Sequence, residues 1–261
     1  MSENLKSNVV SSHHPDNKSI IIFDEVPHTY TDNNGKLYES GTTFVKKYFE
    51  EFDAIAVSEM CSKGRNPKYV GRTPKDIQHE WLIDGEIASQ EGTNVHLYFE
   101  GRMSDWLEKD LPKPLTERCR LMFLQVDRVV IELKRHYLFI GAEVIIFSIT
   151  LGKSGMIDLL LWSKALNEIV IFDLKTNKDI RKPASRKAFS PINHLDDTKI
   201  AKYSLQLSLY QKILIREKYF PKISGYRRAL IHIGLTDFEI IPVEDYSYEI
   251  DTLLKHEGIL K

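Results

Sequence analysis

Cysteine is scarce. Cys61 and Cys119 stand far apart with no Cys-X-X-Cys pair, so a thiolate zinc site is not supported, no iron–sulfur cluster is expected, and a disulfide is not needed at this length. Long apolar runs are missing too. The first residues, Met-Ser-Glu-Asn-Leu-Lys, lack the basic start and apolar stretch of a secretory signal, and no segment reaches the length of a membrane span, so an intracellular protein with no membrane partner is expected. Ten prolines and thirteen glycines among 261 residues leave little room for extended disorder. A net charge of −1 gives no global argument for a polyanionic partner. Internal repeats, coiled-coil heptads and the Gly-X-X-X-X-Gly-Lys-Ser/Thr loop of a nucleotide-hydrolysing motor are absent as well. What is present is 42% hydrophobic residues, enough for a sizeable core in one large domain, or in one domain with a smaller appended piece.

The stretch from Gly155 to Lys175 organises the chain. Two apolar runs rich in β-branched and aromatic residues flank a polar turn at 163–168, which predicts a β-hairpin. If Trp162 pairs with Ile169, counting back along both strands sets Asp158 opposite Asp173, and alternation puts Lys175 on the face of Asp173. Opposed carboxylates repel, and burial favours their neutral forms, unless a cation lies between them. A divalent metal is the simplest reason for an acid inside each apolar run, with the Lys175 ammonium near a substrate oxyanion or a water. Ordinary polar residues on the solvent face of a hairpin would produce the same letters.

Taken in order, residues 1–18 read as a polar, disordered lead in which His13 and His14 are tail residues. A small β meander follows over 20–37. A short helix over 42–52 is capped by Thr42 or Thr43 and turns Phe44, Tyr48, Phe49 and Phe52 to the core. The interval Cys61–Lys75 is basic and broken by Gly and Pro, and Thr73-Pro74 starts a helix. From Trp81, Gly85, Ala88, Gly92 and His96 form a stripe at intervals of three and four, with Glu100 one turn further and a break near Glu91 conceivable because Gly92 costs helix stability. A structural histidine is the plainer role for His96 taken alone. Leu115–Tyr137 reads as a scaffold helix. Ile140–Phe147 reads as a strand with Glu143 near its start, either a surface acid or a further acidic ligand.

After the hairpin, residues 178–198 read as a loop. Between Asp173 and Lys187 the chain carries Lys175, Lys178, Arg181, Lys182, Arg186 and Lys187 against Asp173 and Asp179, a local positive excess that suits a polyanion or simply a solvated loop. Residues 200–219 return to helical periodicity, and Gln206 and Tyr210, four apart, can face one cleft. Two strands at 229–233 and 238–242 and a helix over 246–254 complete an α/β order in which helices flank a mixed sheet.

The order of these motifs resembles the PD-(D/E)XK nuclease superfamily, in particular its RecB-like exonuclease branch. Gly92-Thr93-Asn94-Val95-His96 is similar to the branch's helical histidine motif, and Gly155-Met156-Ile157-Asp158 to its first acidic strand. Asp173-Leu174-Lys175 is similar to the Asp-X-Lys core, and Gln206-Leu207-Ser208-Leu209-Tyr210 to the Gln-X-X-X-Tyr helix. The resemblance spans residues 80–215, and Ile157 stands where the signature usually has proline. It implies a restriction-endonuclease-like mixed central sheet flanked by helices. It also implies Mg²⁺ or Mn²⁺ held by Asp158 and Asp173, with the Leu174 carbonyl, His96 and Glu143 as further ligands. Lys175 would then orient or activate water, Gln206 and Tyr210 would position the acidic site or the DNA backbone, and Lys178, Arg181, Lys182, Arg186 and Lys187 would contact nucleic acid. The implied reaction is hydrolysis of DNA phosphodiesters by a DNA-processing exonuclease acting on free ends or single strands, with a monomer expected. A nucleic-acid-binding protein that keeps the scaffold without the activity is the alternative. The division that follows is a disordered tail at 1–18, an accessory β-hairpin and helical region at 19–80, and a nuclease core with a C-terminal extension at 81–261.

Overall fold

A computed structural model describes residues 9–25, 27–178 and 180–261. The chain forms a mixed α/β fold in which, among the described residues, nine strands build one mixed sheet flanked by helices. Four short strands come first: β1 (Val9–His13), β2 (Ile20–Asp24), β3 (Thr29–Asp32) and β4 (Leu37–Ser40), paired antiparallel in sequence order. Residues 9–18, expected as disordered lead, therefore contribute a strand; residues 1–8 lie outside the described set. His14 is buried beside the ring of Phe147 and 3.1 Å from Glu217 Oε2, so it is an anchor for the N-terminal strand rather than a tail residue. Alternating apolar residues in β2 and β3 (Ile21, Phe23, Tyr30) pack with Tyr38 against Ile145 and Phe147 of the central sheet.

The central strands are β5 (Leu138–Ser148), β6 (Lys153–Ser163), β7 (Glu168–Lys175), β8 (Gly225–Ile233) and β9 (Phe238–Pro242). β5 runs antiparallel along one edge of β6. The other edge of β6 is shared: Lys153 and Ser154 pair in parallel with Glu39 and Ser40 of β4, and Leu159–Ser163 pair antiparallel with β7. Between those stretches, at residues 155–158, the two neighbours diverge and the sheet opens. β7 then pairs in parallel with β8, which pairs antiparallel with β9. The sheet is thus continuous across the boundary expected at residue 80.

Among the described residues there are six α-helices: α1 (Gly41–Lys46), α2 (Ala54–Lys63), α3 (Pro74–Met103), α4 (Glu117–His136), α5 (Lys199–Arg216) and α6 (Ser247–His256). β7 is apolar on both faces, as a central strand must be. Ile169 and Ile171 join the core under α1, α5 and α6, whereas Val170, Phe172 and Leu174 join the core under α3 and α4. Several boundaries differ from expectation. Ser40 rather than Thr42 or Thr43 caps α1, its side chain accepting from Thr43 N. Phe52 lies outside the core at 68% exposure, although Phe44, Tyr48 and Phe49 are buried as read. The basic interval before Thr73 contains the end of α2, capped by Asp53, so Cys61 is helical.

α3 is one helix of 30 residues, where a break near Glu91 was open. A capping box between Thr73 and Asp76 with Pro74 in the first turn fixes its start. Val95, Tyr98 and Phe99, buried at helical spacing, hold its second half to α4 and the sheet, and this packing outweighs the weak propensity of Gly92. Gly85 faces open space, so the small-residue stripe does not mark a continuous close contact. Among the described residues, no helix is long and apolar enough to cross a membrane.

Candidate metal centre

The hairpin register is the one counted from the sequence: Trp162 faces Ile169, and the ladder runs back to Leu159 against Phe172. One step further it gives way to a side chain. Asp158 reaches across the opening, and its Oδ2 accepts the Leu174 amide hydrogen at 2.6 Å, replacing the strand carbonyl that would otherwise satisfy that group. Asp158 is thereby fixed at the point where β6 and β7 part.

His96, on the second half of α3, approaches from the other side of the opening. Its Nε2 lies 3.1 Å from the Leu174 carbonyl oxygen. A carbonyl can only accept, so Nε2 carries the hydrogen and Nδ1 is left facing the carboxylates of Asp158 at 3.6 Å and Glu143 at 3.9 Å. A lone pair aimed at two carboxylates is repulsive and calls for a cation, either a proton or a metal ion. Burial opposes the imidazolium, but Asp158 and then Glu143 more than offset it, and the His96 pKa is raised above its ordinary value. One ligand atom from each of His96, Glu143 and Asp158 lies within 4.8 Å of the other two.

Glu143, given the lesser place from sequence, is a full member of this cluster. Its backbone sits in the left-handed region at φ 48° within β5, just past an irregularity between Phe139 and Gly141. A non-glycine residue held there costs about 1–3 kcal/mol and persists where the surroundings dictate it. Here the turn aims the carboxylate at His96 and Asp158.

Asp173 stands outside the three-residue cluster. It is 4% exposed, and Lys175 Nζ lies 2.5 Å from its Oδ2. That oxygen is sequestered from solvent yet accepts no hydrogen bond of regular geometry. Burial pushes the Asp173 carboxyl up to about 6; Lys175 opposes the shift and Asp158 adds to it. Burial also works against the Lys175 ammonium, but Asp173 and Asp158 raise its pKa above the ordinary lysine value, so it stays charged. Its Nζ rests 4.7 Å from the centroid of the Tyr203 ring.

Gln206 donates to the Tyr210 hydroxyl at 2.9 Å. Tyr210 is buried, and its ring fills the space over Gly155 and Gly41: a Cβ built on Gly155 would lie 2.2 Å from Tyr210 Cε1, and one on Gly41 would lie 2.6 Å away. Glycine at 155 is therefore required by the tyrosine that braces β6 three residues before Asp158. Burial raises the Tyr210 pKa, keeping its hydroxyl neutral.

The basic run after β7 is largely occupied. Arg181 pairs with Glu239, Arg186 with Glu50 at 2.7 Å, and Lys187 with Asp196 at 2.7 Å, whereas Lys178 and Lys182 have no ion pair among the described residues. The run is thus a set of tethered cations rather than one continuous positive patch. Sequence reasoning passed over Tyr203, which follows from its place three residues before Gln206. Glu100, noted one helical turn beyond His96, was given no role; its pKa is raised by burial and by Glu143. Tyr30, shifted upward by burial and by the charge of Glu143, carried no sequence signal because the meander that delivers it is remote in sequence.

The donor set suits a hard divalent ion. Carboxylates, one imidazole nitrogen and a backbone carbonyl fit a hard divalent ion, and the buried Asp173, whose Oδ2 is engaged by the Lys175 ammonium, lies on the adjoining strand. Cys61 and Cys119 are both free thiols.

No family model and no curated protein sequence matches the chain. Among solved structures, it is similar to a protein from Eubacterium rectale provisionally named an exonuclease. The identity is 18%, the TM-score is 0.41, and the match covers 85% of this chain and 78% of the other.

Proposed function

We infer that this protein is a divalent-metal-dependent nuclease that hydrolyses DNA phosphodiesters, acting on free ends or single-stranded regions in the manner of RecB-like PD-(D/E)XK exonucleases. The observation that carries the reading is the convergence of His96 Nδ1, Glu143 and Asp158 at a split in the sheet, with the buried Asp173–Lys175 pair on the adjoining strand. A surface that merely happened to be acidic would not bury an Asp–Lys pair beside the cluster or hold Glu143 in the left-handed region facing the same point.

His96, Glu143, Asp158 and Asp173 would hold Mg²⁺ or Mn²⁺, and the Leu174 carbonyl, with one lone pair used by His96, has a second to offer. When bound, such an ion polarises phosphoryl oxygens and favours hydroxide over water. The chain's own groups do the rest. Lys175, whose ammonium form is favoured by Asp173 and Asp158, donates hydrogen bonds to a phosphoryl oxygen or to the attacking water, orienting it and stabilising developing negative charge. His96 Nε2 is spent on Leu174, which fixes the ring so that Nδ1 faces the acids. Tyr210 and Gln206 are positioning residues that brace β6 and so set the height of Asp158.

Asp173→Ala tests the assignment. The variant is expected to fold, by circular dichroism and thermal melting, and to lose at least about a hundredfold of Mn²⁺-dependent cleavage of labelled single-stranded DNA, the scale of a lost electrostatic contribution. Wild-type turnover by the folded variant would overturn the reading. DNA binding without any metal-dependent cleavage by the native protein would favour a binding protein on the same scaffold.

A further inference from the structure

Three cavities with shared lining residues lie along the residues that follow Lys175. A cavity of about 300 Å³ lies between α3, α4, residues 176–178 and the start of α5, with Arg118, Lys178 and Lys199 on its wall. It begins one residue past Lys175, where Thr176 lies against α3 at Gly92, one turn before His96. A second cavity of about 230 Å³ shares Arg118, Asn177 and Lys178 and extends to His232. A third of about 540 Å³ shares Lys178 and His232 and adds Arg181 and Lys182.

Five cations line this path against two carboxylates, Glu91 and Glu239. Both acids are engaged. Glu91 accepts from Thr116 Oγ1 at 2.6 Å and from Arg118 Nε at 3.1 Å, which fixes the guanidinium by its inner nitrogen and leaves the two terminal nitrogens for a ligand. Glu239 pairs with Arg181. Where the cavities meet, the amide nitrogen and oxygen of Asn177 are both sequestered with no hydrogen-bond partner. A desolvated amide without partners is costly unless a bound group completes it.

We propose that these cavities form an anion track that holds the backbone phosphates of a nucleic-acid strand flanking the phosphate under attack. Arg118, Lys178 and Lys199 are its principal contacts, and the Asn177 amide hydrogen-bonds a sugar or phosphate oxygen. A lone phosphate would fill one cavity, whereas three neighbouring cavities that share lining cations suit a chain of them. Among the described residues the walls carry no phenyl, phenol or indole ring, and the His232 imidazole is held 2.9 Å from the Asn177 backbone carbonyl oxygen, so recognition here is of the backbone and independent of sequence. The proposal rests on the nuclease reading for the identity of the strand, and it adds two cations, Arg118 and Lys199, which lie outside the basic run after β7.

The test is fluorescence anisotropy with a short fluorescein-labelled thymidine oligonucleotide, Ca²⁺ replacing Mg²⁺, across a salt series. Lys178→Gln/Lys199→Gln changes only exposed side chains and is expected to weaken binding about tenfold at low salt. The slope of log K against log salt should become shallower by about 1.4, since each single-strand phosphate contact contributes about 0.7. Lys109→Gln/Lys222→Gln, exposed lysines elsewhere, should leave both quantities unchanged. Wild-type affinity and slope in the first variant would overturn the track. The native protein is assayed in parallel for Mn²⁺-dependent cleavage of the same oligonucleotide: no cleavage alongside a loss of binding in the variant would leave the track standing and remove the nuclease reading.

Discussion

At the residue scale, the proposed place of Asp173 among the metal ligands would tie its protonation to metal affinity. Its carboxyl, raised by burial to about 6 from an ordinary 3.8, keeps in the folded protein a proton that the unfolded chain has already released across that window. The sign follows: without metal, stability declines as pH rises from about 4 to about 6, and Asp173→Asn flattens that decline. A divalent ion needs the carboxylate, so Mn²⁺ affinity rises over the same interval, and at pH 7 added Mn²⁺ should raise the melting temperature. Melting curves with EDTA or Mn²⁺ at several pH values check both directions; a pH-independent Mn²⁺ effect would contradict them. Gly155 is a second residue-scale case. Gly155→Ala drives a methyl into the Tyr210 ring and should cost about 1–3 kcal/mol in urea unfolding, and much of that cost should vanish in a Tyr210→Leu background. An additive double variant would show that the contact is not what demands glycine.

At the scale of elements, the hairpin was legible because a period of two fixes everything once one pair is set. Trp162 against Ile169 fixed the ladder back to Leu159 against Phe172, and the structure keeps that much; the next counted pair, Asp158 opposite Asp173, falls where β6 and β7 part, and there Asp158 takes the Leu174 amide instead. The divergence of the strands was not legible, since it depends on β4 entering beside Lys153 and Ser154, a pairing more than a hundred residues apart in sequence. For the same reason the left-handed turn at Glu143 could not be read from its neighbours, and Asp158 as a replacement for a strand carbonyl could not be foreseen. α3 shows local signals and tertiary packing in partnership: Thr73, Pro74 and Asp76 announce its start, but Val95, Tyr98 and Phe99 decide that it continues through Gly92. Thr73→Ala should lower stability by about 1 kcal/mol, measured by urea denaturation, with helix content retained because the second half is held by the core. Loss of the helix signal over its whole length would mean that packing contributes less than argued.

At the scale of the molecule, one buried charge links the N-terminal meander, the central sheet and the C-terminal helix, beside the strand pairing and apolar packing that also hold the meander. Lys153, 3% exposed at the start of β6, lies 2.5 Å from Glu39 of β4 and 2.8 Å from Glu257, the C-cap of α6; Lys47 bridges the same two acids at 2.7 and 2.6 Å. Removing Lys153 leaves Glu39 and Glu257 with only the more exposed Lys47 between them, so Lys153→Met should destabilise by about 1–3 kcal/mol and loosen the N-terminal strands before the core, seen as a broadened or biphasic denaturation curve. Nothing in the sequence marked Lys153, because its partners arrive from opposite ends of the chain.

The central claim is that His96, Glu143, Asp158 and Asp173 assemble to capture a hard divalent cation beside a charged lysine. Calorimetric titration of Mn²⁺ into the folded protein near neutral pH, alongside Asp158→Asn, which keeps an acceptor for the Leu174 amide, tests it most directly. The account predicts saturable Mn²⁺ binding by the native protein and its loss in the variant. No binding by the native protein, or equal binding by both, would contradict it.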